Sequence, residues 1–528
     1  MSKEGKRSKN TGETSIVSKK QKVNTGLGDN YDGYKPLEDN EKIAEINIKD
    51  IDAQKFYEEY IKPRKPVVIN GIITDLDISG LKSDTITKTL GRKNHEQYDV
   101  QVEKRVDGGF GSGFQRQTMA FDEFIAKVVN GETDGYLTTQ YDDVYDEDLE
   151  DFPESGKEFS DDDEEEDEDV GDDGMGESER EKAMMEAIRN HHQQATPDDV
   201  VSEADSIDFN DLHDDFDDLG GEEEEEEVLD DCKGEPLYVS EAVERIYSLI
   251  QKPLTSLFEK DKLPIIPTIL ETLIPQQINI WAGSGKPNPG SLKIEIDETK
   301  KDFGLGRRIP GKGTSSGLHH DHANNLYIPV QGKKRFTIFP PSEAENLYTV
   351  GDINKIFNSG VIDYTPNERA PKWKPVRSDG AVIENPETIK DEDDDEEEVN
   401  KSKKLDPPSF CEVPPILLHS DELEEKEKVI LRNFEKKHFP KLSNAKRITV
   451  ELKSGQMLYL PTGWFHEVSS FGLTDESSDN MHIAVNYWFY PTDGNLFENP
   501  YLDSYWKTDF QRTQKAYSLY RQGKFELS

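Results

Sequence analysis

Three histidines and one aspartate occupy four consecutive positions, His319-His320-Asp321-His322. Residues two apart on a strand share a face, so the run offers two rival ligand pairs, His319 with Asp321 and His320 with His322. The chemistry leans toward the first. Two imidazoles and one carboxylate on one face of a metal leave positions open for oxygen and a cosubstrate, the usual non-haem iron(II) arrangement. The third ligand must come from a distant strand. His466 follows the turn residues Pro461-Thr462-Gly463, where a side chain can be aimed inward. His482, in the segment His482-Ile483-Ala484-Val485-Asn486-Tyr487-Trp488, is the competitor, although a lone histidine on such a strand more often has a structural role.

The elements that must hold these residues occupy only part of the 528-residue chain. Hydrophobic and charged residues each make up 33%, too polar a mixture for all of it to bury enough apolar surface to offset its ordering entropy. The net charge of -46 is concentrated: residues 142–231 hold 42 acidic and four basic side chains, and 391–398 read DEDDDEEE. Outside these two tracts acidic and basic residues balance, so the low pI says little about the site. The only cysteines, Cys232 and Cys411, exclude a disulfide framework and a multi-cysteine zinc module, and fit a reducing compartment. No apolar run reaches the roughly 20 residues of a membrane span, and no basic surface calls for direct nucleic-acid binding. Lys6-Arg7 followed by Lys19-Lys20-Gln21-Lys22 resembles a two-part nuclear import signal, which makes a nuclear protein the expectation.

Local patterning sets the organisation. Residues 1–45 read as a disordered basic tail. A short helix at Phe56–Ile61 precedes a β-branched strand, Lys65–Gly71. Strands are expected at Tyr98–Val102, Gly135–Tyr141 and Gln277–Trp281, and helices at Phe121–Asn130, Ser240–Phe258 and Glu422–Lys437. Two strand-rich blocks, Gly317–Pro340 and Ile448–Tyr490, carry the candidate ligands. Residues 142–231 read as an acidic disordered insertion with a short helix near Glu179–Asn190. Residues 350–440 form a second insertion, and 500–528 a C-terminal helical segment. Helices followed by many short strands imply a mainly β domain, a sandwich or barrel with flanking helices, built from residues 46–141 and 232–499. The acidic tracts are then surface insertions in one domain.

Four ordered blocks carry a family resemblance: Leu318-His319-His320-Asp321, then Gly332 to Pro341, then Leu460 to Val468, then Asn486-Tyr487-Trp488. They resemble the jumonji C (JmjC) family of iron(II)- and 2-oxoglutarate-dependent oxygenases, specifically fungal jumonji proteins with long acidic inserts. The helix and strand at 56–71 are similar to the N-terminal flank of the protein-hydroxylase branch. The resemblance implies a double-stranded β-helix (cupin, jelly-roll) core. It also implies a metal site of His319, Asp321 and His466 holding Fe(II), with 2-oxoglutarate and oxygen as cosubstrates.

The same resemblance places the cosubstrate. Lys334, 15 residues after His319, matches the lysine that binds the far carboxylate, and Ser316, Tyr136, Asn325 and Asn486 match the groups that complete the pocket. Lysine suits that task as a compact point charge. Lys333 and Arg335 are expected to face outward by alternation. Trp488 is read as barrel core.

Three readings follow. The first is hydroxylation of a protein side chain, favoured by the flank and by the lack of zinc-bound reader modules. The second is lysine demethylation of histones or other proteins. The third is a catalytically inactive scaffold whose acidic segments bind basic partners such as histones or ribosomal proteins.

Overall fold

The computed structural model describes residues 27–74, 76–91, 98–105, 109–110, 116–140, 228–230, 236–285, 294–371, 373–383, 406–471 and 481–527. The acidic insertion at 142–231, except Val228–Asp230, therefore lies outside the described residues, as do the helix expected near Glu179–Asn190 and the acidic run at 391–398.

The strands, in chain order, are β1 (Ala44–Asn47), β2 (Val67–Asn70), β3 (Asp99–Glu103), β4 (Arg116–Ala120), β5 (Tyr136–Leu137), β6 (Val228–Asp230) and β7 (Leu237–Tyr238). Then come β8 (Pro275–Ser284), β9 (Thr314–Ser315), β10 (His319–His320), β11 (Asn324–Gln331) and β12 (Lys333–Phe339). The last are β13 (Ile353–Ile356), β14 (Ile362–Tyr364), β15 (Ile448–Lys453), β16 (Gln456–Leu460), β17 (Phe465–Phe471) and β18 (Met481–Phe489). A nine-stranded sheet runs β1-β2-β16-β11-β18-β8-β5-β3-β4, and a five-stranded sheet runs β10-β17-β12-β15 with β9 also on β17. Tyr327, Leu458 and Leu460 from the first join Phe336, Ile338 and Val450 from the second in one core. This is the expected mainly β, double-stranded β-helix architecture with flanking helices.

Strand composition follows position. β11 and β18 are buried along their whole length, although Asn324, Asn325 and Gln331 on the first and His482 and Asn486 on the second are polar. β15 alternates buried and exposed, with Ile448, Val450 and Leu452 inward. The expected helix at Phe121–Asn130 forms with those bounds, burying Phe121, Phe124, Ile125 and Val128 at helical spacing, and it ends on Gly131 at φ 72°. The single helix expected over Ser240–Phe258 is two, Val239–Leu249 and Thr255–Glu259. Pro253 falls between them and cannot supply a helix-interior N–H.

Two expectations about insertions change. The tail does not run to residue 45. Tyr31 is fully buried and accepts a hydrogen bond from the Trp464 indole (3.2 Å), Tyr34 stacks on the same indole, and β1 pairs in parallel with β2. Aromatic residues in an otherwise polar segment give it something to bury. Likewise the 350–440 stretch packs over most of its length. Ile362, Tyr364, Trp373, Phe410 and Leu417 are buried, and only 384–405 and residue 372 of it lie outside the described residues.

The chain divides into two compact units, Met1–Thr139 with Leu249–Trp506, and Gln140–Ser248 with Lys507–Ser528. The second contains the β6–β7 pair and an ionic cluster in which Glu241 accepts from Arg245 and Arg512 while Arg245 also meets Asp509. The helix Tyr505–Arg521 accounts for most of the expected C-terminal helical segment. Among the described residues, no helix is long and apolar enough to cross a membrane.

Candidate metal centre

β10 pairs antiparallel with β17 so that His319 lies directly opposite His466, their rings 4.3 Å apart. The turn before His466 is held in place by backbone. Gly463 adopts φ 72°, a Cβ there would overlap the Gly360 carbonyl oxygen, and its N–H donates to the Asp321 carbonyl at 2.9 Å. A glycine is required at this position. One candidate ligand atom from each of His319, Asp321 and His466 lies within 4.8 Å of the others, and His466 Nε2 is 3.5 Å from Asp321 Oδ2. Among the described residues this is the one group of three or more histidine, cysteine or acidic side chains so arranged.

The tautomers follow from the partners. His319 Nδ1 sits 3.1 Å from the Gly317 carbonyl, and His466 Nδ1 sits 2.9 Å from the Trp464 carbonyl. A carbonyl only accepts, so each Nδ1 carries the hydrogen and each Nε2 presents a lone pair. Two neutral imidazoles and one carboxylate are what a divalent first-row metal takes while keeping positions open. The residues therefore fit iron(II). Burial, helped by the neighbouring His466, holds His319 well below the usual histidine range, in the neutral form that ligation needs. Burial also pushes the Asp321 carboxyl up, a cost that a bound dication would offset.

The rival pair turns away. His320 Nε2 meets the Tyr364 hydroxyl at 2.5 Å, and His322 Nε2 donates to the Ile362 carbonyl at 2.8 Å, both groups on β14. His482 is no part of the metal cluster.

Further along the same inner face lies a buried cation. Lys334 pairs with Ser470, and His466, Val468 and Ser470 alternate inward on β17. The Lys334 ammonium donates to Ser470 Oγ (2.6 Å) and Tyr136 Oη (3.0 Å), and no acidic group pairs with it among the described residues. It is 1% exposed, and burial pulls its pKa down to about 7. The structure thus brings together Lys334 and Tyr136 from 198 residues apart. Asn486 and Asn325 also meet, the first donating to the second at 3.1 Å and accepting from Trp281 Nε1 at 2.8 Å. Ser316 is placed differently: its hydroxyl donates to the Gly317 carbonyl and accepts from Val468 N–H, bracing β17. Ser470 supplies the hydroxyl beside Lys334 instead. The signal that could have found it was its even spacing from His466. Asn279, opposite Asn486 on β8, is another group missed in the sequence, buried with neither amide atom partnered among the described residues.

The roof comes from the second insertion. Ser409, Phe410 and Cys411 run antiparallel beside Leu318–His320: His320 N–H donates to the Ser409 carbonyl (3.2 Å) and Cys411 N–H to the Leu318 carbonyl (2.8 Å). The Phe410 ring stacks on His319 at 4.8 Å, and the Arg307 guanidinium lies over Phe410 at 4.9 Å while pairing with Asp406.

Arg335 points away from the metal, as alternation requires, but it is covered rather than solvated. Glu422 pairs with it, and Ser469 Oγ accepts from it at 3.1 Å. On the same side Glu467 is completely buried, accepting from Ser315 Oγ (2.6 Å), Ser469 Oγ (3.0 Å) and His419 Nε2 (2.8 Å). The segment bearing His419 and Glu422 belongs to the 350–440 stretch, which is why Arg335 looked exposed in the sequence.

Comparison with known proteins agrees with this geometry. Residues 53–495 match the cupin-like domain family. The chain is 26% identical to "JmjC domain-containing protein 4" of Schizosaccharomyces pombe, over 90% of each chain. It is 27% identical to the "Lysine-specific demethylase JMJ32" of Arabidopsis thaliana, over 33% of this chain and 37% of that one. It is 26% identical to the human "Bifunctional peptidase and (3S)-lysyl hydroxylase JMJD7", again over 33% of this chain and 37% of that one. Because the family match spans residues 53–495, most of the chain, and the relative similar over 90% of its length is a JmjC-domain protein, this chain belongs to the cupin-like family of JmjC-domain proteins.

Proposed function

We propose that the protein is an Fe(II)- and 2-oxoglutarate-dependent oxygenase that hydroxylates a protein side chain. One relationship carries the reading. The metal triad and the unpaired Lys334 ammonium share one inner face, two inward steps apart on β17, a Cα separation of roughly 13 Å at about 3.3 Å per residue. A metal at one end and a buried cation at the other suit a short dianion that chelates through one end and needs a counter-charge at the other. 2-Oxoglutarate has that shape.

Bound iron(II) would supply the oxygen chemistry, coupling the conversion of 2-oxoglutarate to succinate and carbon dioxide with insertion of the second oxygen atom into a C–H bond. The chain's own residues do the rest. His319, Asp321 and His466 would hold the metal. Lys334, with Tyr136 and Ser470, fixes the far carboxylate and so orients the keto acid. Asn325 and Asn486 hold each other in the wall, and Phe410, itself under the Arg307 guanidinium, covers one face of the His319 ring.

The relatives include both a named lysyl hydroxylase and a named lysine demethylase, and the two products are distinguishable. Protein incubated with Fe(II), 2-oxoglutarate and oxygen should release succinate, and the Asp321→Ala variant should not. Comparing the proteome of cells with active and Asp321→Ala enzyme by mass spectrometry should reveal a site gaining one oxygen. Loss of methyl groups with release of formaldehyde would replace hydroxylation by demethylation, and no succinate above the variant would leave the scaffold. The basic clusters at Lys6-Arg7 and Lys19–Lys22 and the acidic tract 142–231 extend the proposal to a nuclear enzyme with basic protein partners. Deleting residues 1–25, or 142–231, tests each by localisation and by pull-down.

A further inference from the structure

Besides Asn279, a second buried polar group on the inner side of the sheet is used by neither the metal site nor the pocket as described. His482 is 0% exposed, and among the described residues neither ring nitrogen has a hydrogen-bond partner. A buried polar atom left without a partner costs about 1–3 kcal/mol, and a neutral imidazole has two, one donor and one acceptor. A buried polar group without a partner calls for an explanation, and a bound water, ion or ligand that completes its bonding is one.

The surroundings of His482 indicate what completes it. On β18 it lies directly opposite Gly283 of β8, which lies directly opposite Tyr136 of β5, so all three share a face. Gly283 has no side chain, and a Cβ there would overlap the Tyr136 ring. Tyr136 can therefore lie flat across the strand and bring its ring to 5.1 Å from His482. Tyr136 also takes the Lys334 ammonium on its hydroxyl. On the other side Gly332, at φ 82° in the turn from β11 to β12, approaches so closely that a Cβ would stand 2.8 Å from His482 Cβ. The imidazole is thus wedged between the turn that launches Lys334 and the tyrosine that Lys334 contacts. The charges that act on it are those of Lys334 and Arg105, both cationic. No aspartate or glutamate within 4.0 Å pairs with His482 or Lys334 among the described residues.

We propose that His482 is an anion-positioning residue, its ring N–H donating to the distal carboxylate of the dicarboxylate that Lys334 neutralises. This rests on the 2-oxoglutarate reading and sharpens it. The pocket end becomes a cradle in which Lys334 gives charge, Tyr136 and Ser470 give hydroxyls, and His482 gives a fixed neutral donor. It also explains why a β-strand with an otherwise apolar inner end keeps an imidazole there.

The test uses calorimetry on the full-length protein loaded with Mn(II), titrated with 2-oxoglutarate and with 2-oxopentanoate, which lacks the distal carboxylate. His482→Phe keeps a ring and removes both nitrogens; His482→Gln keeps an N–H donor. The expected result is 2-oxoglutarate binding weaker by about tenfold in His482→Phe, with most of the affinity kept in His482→Gln. Binding of 2-oxopentanoate and Mn(II) should be unchanged. The ligand-free His482→Phe protein should melt at the same or a higher temperature than wild type, because two unpaired polar atoms are gone, whereas a purely structural histidine would lower it. Equal losses for both keto acids, or unaltered 2-oxoglutarate binding in His482→Phe while Lys334→Met abolishes it, would overturn the inference and leave the oxygenase reading standing. Wild-type protein that binds Mn(II) but no 2-oxoglutarate would overturn both.

Discussion

The Phe410 ring lies flat on His319, 4.8 Å between centroids and 12° from parallel, although 91 positions separate the two in sequence. A segment that looked like insertion therefore contacts a candidate metal ligand directly. Removing the ring in Phe410→Ala should cost about 3 kcal/mol of stability, the low end for a buried phenylalanine. It should also weaken metal affinity by roughly 10-fold, since the groups that orient a ligand matter nearly as much as the ligand. Thermal melts and Mn(II) titration measure the two effects separately. An unchanged metal affinity would make Phe410 a packing residue only.

The two faces of the histidine run should respond oppositely. His319→Ala, Asp321→Ala and His466→Ala each remove a ligand, and metal content after dialysis should fall to background. His322→Ala removes a bond to the Ile362 carbonyl on the far side, so it should lower the melting temperature while metal content stays near one ion per chain. Retention of metal by Asp321→Ala together with its loss in His322→Ala would reinstate the rival pair.

Burial pulls Lys334 down to about 7 in the ligand-free protein, whereas an unfolded chain holds that proton to about pH 10.4. Between these values the unfolded state binds more protons, so ligand-free stability should rise with pH from 7 upward. Dicarboxylate binding should do the reverse. The bound carboxylate favours the ammonium, a proton is taken up above pH 7, and affinity falls as pH climbs. The titratable neighbours stay out of this window, since burial pushes Tyr136 up and His482 far down. Calorimetry of the Mn(II)-loaded protein in buffers of different ionisation heat reads the proton directly, and Lys334→Met should abolish both the uptake and the binding.

Glu467 illustrates a buried charge that the metal never sees. It accepts hydrogen bonds from Ser315, Ser469 and His419 behind the ligand strand. Glu467→Ala leaves those donors unpaired in the interior and should cost about 3 kcal/mol, in the range for breaking a buried polar pair. Glu467→Gln, which keeps one acceptor, should cost less. Denaturant unfolding of the three proteins gives the order.

Much of this was legible in the residues, for identifiable reasons. Strand alternation separates His319 and Asp321 from His320 and His322, and the structure sends the two sets to opposite sides. The helix Phe121–Asn130 announced itself by apolar spacing and a following glycine. What alternation cannot show is what covers a face. Arg335 points outward as its position demands, yet a loop nearly a hundred residues later buries it. Tyr31 sits in a polar stretch whose composition hides the hydrogen bond from the Trp464 indole that anchors it. Ser316 and Ser470 are both small hydroxyls near the pocket, and only the pairing of β12 with β17 tells which one reaches Lys334.

The pairing of Ser409–Cys411 with Leu318–His320 has a consequence for recognition. A sheet edge with unused N–H and C=O groups can capture an extended peptide as an extra strand, reading it through main-chain bonds. Here β10 has β17 on one side and the chain's own 409–411 segment on the other. The strand that carries His319 is closed on both sides, so strand addition at that edge is not open to any partner.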